Sequence, residues 1–353
     1  MQLALIGLPG AGVKTLFSAI TGLAESVGSF AASPGQSRVA VVKVADERLQ
    51  QISRVYLPKK TTTAAVEIAE FPGLFGQRTD GRRVGVARNS DALVLALRSF
   101  PSETVPHFQG SVDPVRDLDT LITELVIADL SVVETRLRRL RISLKKRPNE
   151  EEKAEREVLD RCRQALDQGL VLRQLELSAV DQKRIRGFGF LTRKPLMLLL
   201  NIGDSQLGEE EKLTAPFRAQ GYPTRALCAD IEAELAQMES RDREEFMADL
   251  GIRQLAAPLV LGAAYQTLDL VTFYTYGPDE CRAWTVHRGD TAVDAAAKIH
   301  TDIARGFIRA EVVGFEDFRQ CGDIKTAKSR GRFRLEGKDY VVQDGDLIII
   351  RHS

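Results

Sequence analysis

Gly7-Leu8-Pro9-Gly10-Ala11-Gly12-Val13-Lys14-Thr15-Leu16-Phe17 is the stretch on which the fold turns. It follows a short apolar run, residues 2–6, and leads into Leu16, Phe17, Ala19 and Ile20 at helical spacing, so it reads as strand, glycine-rich loop and helix. Such a loop, a P-loop, surrounds phosphate with backbone N–H groups at a helix N-terminus. A lysine then reaches the terminal phosphates and a Ser or Thr holds magnesium. Further apolar runs at 39–44, 64–68, 92–97 and 196–200 supply strands, and the last is apolar throughout, as in a strand covered on both faces. The expectation is a doubly wound α/β domain.

A different texture lies between these strands. Val126, Leu130, Val133, Leu137, Leu140 and Leu144 alternate spacings of four and three, the seam of a coiled coil. Arg147, Pro148 and Asn149 break the helix, which resumes from Glu150 with Leu159, Cys162 and Leu166 as the matching stripe, so an antiparallel hairpin inserted in the α/β domain is expected. Residues 136–147 carry seven basic side chains and no acid. They read equally as a surface for RNA phosphates or as a solvated face paired with the acidic 150–157 segment. Beyond residue 265 short β-rich pieces at 283–286, 308–313 and 340–351, the last with a turn at Gln343-Asp344-Gly345-Asp346, surround one helical stretch at 292–304, a small α+β module.

The chain has 353 residues, 44% of them hydrophobic, and 49 basic side chains balance 49 acidic ones. That length supports two or three cores, and the zero net charge leaves only local patches for nucleic acid. Cys162, Cys228, Cys281 and Cys321 form no CxxC pair, so reduced structural thiols are expected rather than disulfides or zinc. The chain starts directly in an apolar strand and has no run near the roughly 20 residues that span a bilayer, which points to the cytoplasm and to no membrane partner.

The loop GLPGAGVKTLF closely resembles GLPNVGKSTLF of the YchF (Obg-like ATPase) family, and Ala19-Ile20-Thr21 resembles that family's ALT. The likeness extends through the chain: TLITELVIADL at 120–130, KPLMLLLN at 194–201, ADIEAEL at 229–235, RAWTV at 282–286, KIHTDIARGFIRAEV at 298–312 and LEGKDYVVQDGD at 335–346. The resemblance implies a P-loop NTPase-type α/β domain over residues 1–118 and 192–264. A coiled-coil hairpin would fill 119–191, and an α+β domain of β-grasp (TGS) type 265–353. It also implies a purine nucleotide, ATP preferred over GTP, with Mg2+, and contact with ribosomes. Carried over by position, the nucleotide site comprises Gly7, Leu8, Pro9, Gly10, Ala11, Gly12, Val13, Lys14, Thr15 and Leu16. In the base-reading motif that begins Asn201-Ile202 the asparagine would organise the loops and Asp204 would read the purine edge, joined by Cys228 and Ala229, and His107 in HFQGSVDP would position water.

Several positions depart from the pattern. An ungapped alignment keeps the apolar face of the first helix but puts Val13 at the phosphate lysine and Lys14 at the magnesium Ser/Thr. A one-residue gap would restore Lys14-Thr15 yet rotate that face by about 100° away from the sheet, so the ungapped reading is preferred. The segment corresponding to DIAGL reads Glu70-Phe71-Pro72-Gly73-Leu74, and 29–38 holds no clear switch threonine. Asp204 stands where family members carry glutamate, which leaves the base preference open. The expectation is therefore a nucleotide-binding protein with slow or lost hydrolysis that works at a ribosome or other RNA partner. The alternatives are an active ATPase with a rearranged loop, using Lys14 with Thr15 or Glu70, and a nucleotide-free scaffold.

Overall fold

The computed structural model describes residues 1–23, 38–71, 85, 87–107 and 109–353, and the chain divides into two compact units. The first unit comprises Met1–Val41 and Glu67–Ala263, the second Val42–Val66 and Ala264–Ser353. Residues 42–66, counted with the first domain on sequence alone, thus pack with the second unit. The expected readings of 29–37, Pro72, Gly73 and Leu74 lie outside the described residues, as does Phe108.

In the first unit β1 (Gln2–Gly7), α1 (Val13–Thr21), β2 (Val39–Lys43), β4 (Ala65–Phe71), β5 (Ala92–Arg98), β6 (Leu196–Asn201) and β7 (Thr224–Leu227) build the nucleotide-type layer, with residues 42–43 of β2 and 65–66 of β4 falling in the second unit. Their sheet has the order β2-β4-β1-β5-β6-β7, with β4, β1, β5, β6 and β7 mutually parallel. Every residue of β5 and β6 is buried, as their continuous apolar runs require of strands covered on both faces. The four-residue β7 was missed in the sequence, because Thr-Arg-Ala-Leu carries neither length nor alternation.

The insert is two helices, α3 (Pro114–Lys146) and α4 (Glu150–Asp167). Asp113 caps α3 by accepting from the N–H groups of Val115 and Arg116, both at 3.1 Å, with Pro114 at the first helical position. Asn149 caps α4 by accepting from Glu151 at 2.9 Å, so the Arg-Pro-Asn break both stops one helix and starts the next. Val126, Val133, Leu137 and Leu140 pack with Val158, Leu159, Cys162 and Leu166, while Leu130 and Leu144 of the expected seam are half-buried. Arg136 makes a two-pronged pair with Glu155 at 2.8 and 2.7 Å, which fixes the antiparallel register. Burial pushes the Cys162 thiol up to about 11, so it is packing and not a nucleophile.

At the root of the insert Asp129, fully buried, accepts from Leu191 N at 3.0 Å, from Thr192 N and Oγ1 at 2.8 Å, and from Arg88 Nη1 at 2.7 Å. A buried carboxylate is tolerable because these donors replace its water. They tie the hairpin to the segment that enters β6.

The second unit holds α2 (Glu47–Tyr56), β3 (Lys60–Thr62), β8 (Leu270–Thr275), β9 (Glu280–His287), β10 (Phe307–Gly314), β11 (Arg334–Glu336) and β12 (Asp346–His352) in the sheet order β11-β10-β12-β8-β9-β3. The parallel β12–β8 pair lies between two antiparallel pairs, β10–β12 and β8–β9. Helix α10 (Ala292–Ile299) is capped by Thr291 in a reciprocal box with Asp294, and it lays Ala292, Ala295 and Ala296 on Val271, Phe273 and Ile348. Of the β-rich piece expected at 340–351, the turn falls at Asp344 and Gly345, within the expected 343–346, and the strand runs from Asp346. The preceding side chains bond elsewhere: Tyr340 Oη donates to Asp346 at 2.7 Å and Asp344 accepts from Thr272 N at 2.9 Å. Among the described residues no helix is long and apolar enough to cross a membrane. The four cysteines are unpaired.

Candidate nucleotide site

Strand register brings the site together. Gly7 of β1 lies opposite Ala96 of β5, and Arg98, two residues on, lies opposite Asn201 of β6. The carboxyl ends of three neighbouring parallel strands therefore share one edge, where open α/β sheets bind ligands.

The loop after β1 is a closed turn: Ala11 N donates to Leu8 O at 3.0 Å, Gly10 and Gly12 take φ of 80° and 78°, and Leu16 N donates to Gly12 O at 2.8 Å as α1 begins. Glycine is needed at both places because a side chain is strained in the left-handed region. Leu16, Phe17, Ala19 and Ile20 are buried and Lys14 is exposed, which is the face the ungapped alignment keeps. A Cβ on Gly7 would lie 2.7 Å from Val13 Cγ2 and 3.0 Å from Ala96 O. Hydrocarbon thus packs against the base of the loop at the motif's lysine position.

Asn201 is 4% exposed and clamps two loops at once. Its Nδ2 donates to Ala11 O at 3.1 Å and its Oδ1 accepts from Ala229 N at 3.1 Å. A Cβ on Gly12 would overlap the Asn201 amide, so the glycine and the asparagine are mutually required. Ile202 N donates to Leu227 O at 3.0 Å, extending the clamp toward α7 (Ala229–Leu235). Asp204 is exposed beyond it and accepts from Ser205 N at 2.7 Å, and burial raises the thiol pKa of Cys228. Asn201, Ile202, Cys228 and Ala229 are therefore gathered beside the loop, with Asp204 at their solvent edge.

Arg98 was not anticipated. It is 2% exposed, donates from Nε to Phe100 O at 3.1 Å and from Nη2 to Val105 O at 2.8 Å, and stacks 4.5 Å from the Phe100 ring. Its Nη1 is buried with no hydrogen-bond partner among the described residues and lies 3.4 Å from where a Cβ on Gly10 would stand. An unsatisfied buried N–H beside an anion-type loop calls for explanation. The available signal was an arginine ending an otherwise apolar strand at 92–98.

The His107 ring, expected to position water, is bonded on both of its nitrogens. Its Nδ1 accepts from Gln109 N at 3.0 Å, which leaves Nε2 protonated and donating to Asp117 Oδ2 at 2.8 Å. Asp117 is buried in the first turn of α3 and also pairs with Arg116 at 3.0 Å. Both ring nitrogens are engaged, so the side chain latches its loop to α3 and presents no nitrogen to a water.

The acid expected to serve magnesium, Glu70, is 3% exposed at the end of β4 and is held by the Arg38 Nε in a short ion pair. Magnesium demands oxygen ligands in near-octahedral array. Position 13 offers valine, position 14 an ammonium side chain, and Glu70 is already paired to a cation, so this donor set does not fit the ion. Among the described residues no group of three His, Cys, Asp or Glu side chains is placed to hold a metal.

The chain is 33% identical over 360 residues to "Ribosome-binding ATPase YchF" of Bacillus subtilis (strain 168), covering 99% of this chain and 98% of that protein. The chain belongs to the YchF family. It is likewise 34% identical to "Ribosome-binding ATPase YchF" of Escherichia coli O157:H7, with 98% and 97% covered. Residues 270–353 match the family model YchF-GTPase_C, described as "Protein of unknown function (DUF933)". The solved YchF GTPase of Schizosaccharomyces pombe superposes with a TM-score of 0.81 at 25% identity, covering 99% of this chain and 97% of that one. The fold is that of a YchF P-loop protein with helical insert and carboxyl-terminal domain.

If His107 is a latch, His107→Ala should lower urea stability by about 1 to 3 kcal/mol, the cost of orphaning a buried partner, and leave nucleotide affinity within about twofold. A variant of unchanged stability that loses turnover would return the ring to the chemistry.

Proposed function

We propose that this YchF protein binds a purine nucleotide, ATP or GTP, on the loop at 7–16, hydrolyses it slowly or not at all, and works in the cytoplasm with a ribosome or another RNA-containing partner. The observation that supports it is a loop frame kept intact while its lysine position is not: Gly10, Gly12 and the Asn201 clamp retain the geometry of a phosphate cradle beside Val13. Arg98 supplies positive charge beside the loop tip, and its Nη1, without a partner among the described residues, is a donor available to an anion there. The rearranged active ATPase is less favoured, because Lys14 faces solvent and Glu70 is engaged.

Nucleotide occupancy would be communicated to the hairpin and to the carboxyl-terminal domain, whose sheet of mixed pairs under α10 we assign to the TGS-type β-grasp class. The Bacillus and Escherichia relatives are named for ribosome binding. On this chain the hairpin offers the better phosphate-facing surface: Arg138, Arg139, Arg141, Lys145, Lys146 and Arg147 are exposed, and Arg136 is committed to Glu155. The basic run at 325–334 is partly neutralised, with Arg332 3.6 Å from Asp317 and Arg334 3.2 Å from Glu336.

Calorimetric titration with ATP and GTP tests the nucleotide reading. Losing one charge-assisted contact of roughly 1.5 to 3 kcal/mol should weaken binding about 10- to 150-fold relative to the Bacillus protein. Silence at millimolar nucleotide removes the reading, and equal affinity removes the claim of a damaged loop. For the partner, Arg138→Ala/Arg139→Ala/Arg141→Ala should weaken ribosome co-sedimentation and flatten the slope of log affinity against log salt by about 0.7 to 0.9 per lost contact. An unaltered slope would take the hairpin out of the interaction.

A further inference from the structure

The grip of Arg38 on Glu70 has more than one contact behind it. The guanidinium pairs with the carboxylate through Nε, its Nη2 donates to the backbone oxygen of Lys14 at 3.4 Å, and its carbon lies 4.7 Å above the centre of the Phe17 ring. Register against β1 sets Glu70 beside Leu5, two residues before the loop, and Phe17 is itself buried on α1. The cation is thus fixed by an acid on the sheet, a carbonyl in the first turn of α1 and an aromatic face on the same helix.

Residue 14 and the acid at 70 are the two positions that the P-loop pattern uses to organise a metal ion, and Arg38 spans both. A guanidinium keeps its charge at every accessible pH and is more weakly hydrated than an ammonium, which suits it to a half-buried pair. A divalent ion arriving here would have to displace that cation from Glu70, and would then find no hydroxyl ligand at residue 14, whose side chain faces solvent. Both steps are unfavourable, and neither is compensated by a new oxygen donor from Val13. Breaking the pair would also strand a buried charge, the costly way to disrupt such an interaction.

We propose that Arg38 is the built-in cation of this site, standing where the pattern places magnesium, and that the protein takes its nucleotide as the metal-free anion. The proposal rests on the nucleotide reading above and adds the form of ligand: a nucleoside di- or triphosphate without a divalent ion. Arg38 acts on the phosphates through charge, at the end of the helix whose N–H groups face them. The carboxylate of Glu70 positions the guanidinium and is not itself a metal ligand.

Titration of the full chain with ATP and with GTP, once in excess EDTA and once in excess Mg2+, separates the cases. The expected result is a Kd that differs by no more than about twofold between the two buffers. Arg38→Ala should weaken metal-free binding by about tenfold or more, while Arg38→Lys, which keeps the charge, should retain most of it. Mn2+ added alone and followed by its paramagnetic resonance signal gives a readout independent of nucleotide. The wild-type protein should leave the ion free, and Arg38→Ala should acquire a site that Arg38→Ala/Glu70→Gln lacks. Wild-type affinity at least about tenfold higher with Mg2+, or a Mn2+ site abolished by Glu70→Gln alone, would overturn the proposal and leave nucleotide binding standing. No binding in either buffer would remove the nucleotide reading itself, and this inference with it.

Discussion

One buried amide holds the candidate site in shape. Asn201 gives its N–H to Ala11 and takes one from Ala229, so the phosphate loop and the loop entering α7 are fixed by the same planar group. Removing it would leave a buried carbonyl and a buried N–H without partners, each costing about 1 to 3 kcal/mol. The sheet makes the clamp possible: because β1, β5 and β6 run parallel and in register, Gly7, Arg98 and Asn201 reach the same edge. A shift of one residue in any of these pairings would reverse the face of every side chain on that strand.

Around that frame the charges have moved. The motif's lysine position carries Val13, packed against Gly7, and the motif's metal position carries Lys14, turned to solvent. Two arginines hold the neighbouring ground, Arg98 beneath the loop tip and Arg38 across the first turn of α1. Guanidinium groups bring several donors in a fixed plane and keep their charge, so they can serve as anion partners where an ammonium on a flexible stem is absent. They cannot supply the Lewis-acid role of a metal in transferring a phosphoryl group. That difference connects the geometry to the expectation of binding with little turnover.

Periodicity carried much of this architecture. The apolar runs that became β1, β2, β4, β5 and β6 were readable because covered parallel strands are continuous in hydrophobicity, and the hairpin was readable from a 3.5-residue seam broken by Pro148. The apolar face of α1 also decided the placement of Val13 and Lys14, since a gap would have turned Leu16 and Phe17 outward. What escaped had no local signature. The strand at Lys60–Thr62 pairs with residues more than two hundred positions away. The Arg38–Glu70 pair, the Arg98 orphan and the His107–Asp117 latch join residues through three-dimensional proximity alone, so no spacing rule could have shown them. For His107 the motif suggested a role toward water, and the fold adds its bond to Asp117, which the motif did not show.

The decisive state of the molecule is the loop with nucleotide and magnesium both offered. A crystal structure of the protein grown with a non-hydrolysable ATP or GTP analogue and excess Mg2+ would show this directly. The predicted result is phosphates seated on the loop at 7–16, with the Asn201 clamp closed, the Arg38–Glu70 pair unbroken and no ion between Glu70 and the phosphates. A hydrated magnesium ion bound at Glu70 with Arg38 swung away, or a loop left empty at saturating analogue, would contradict it.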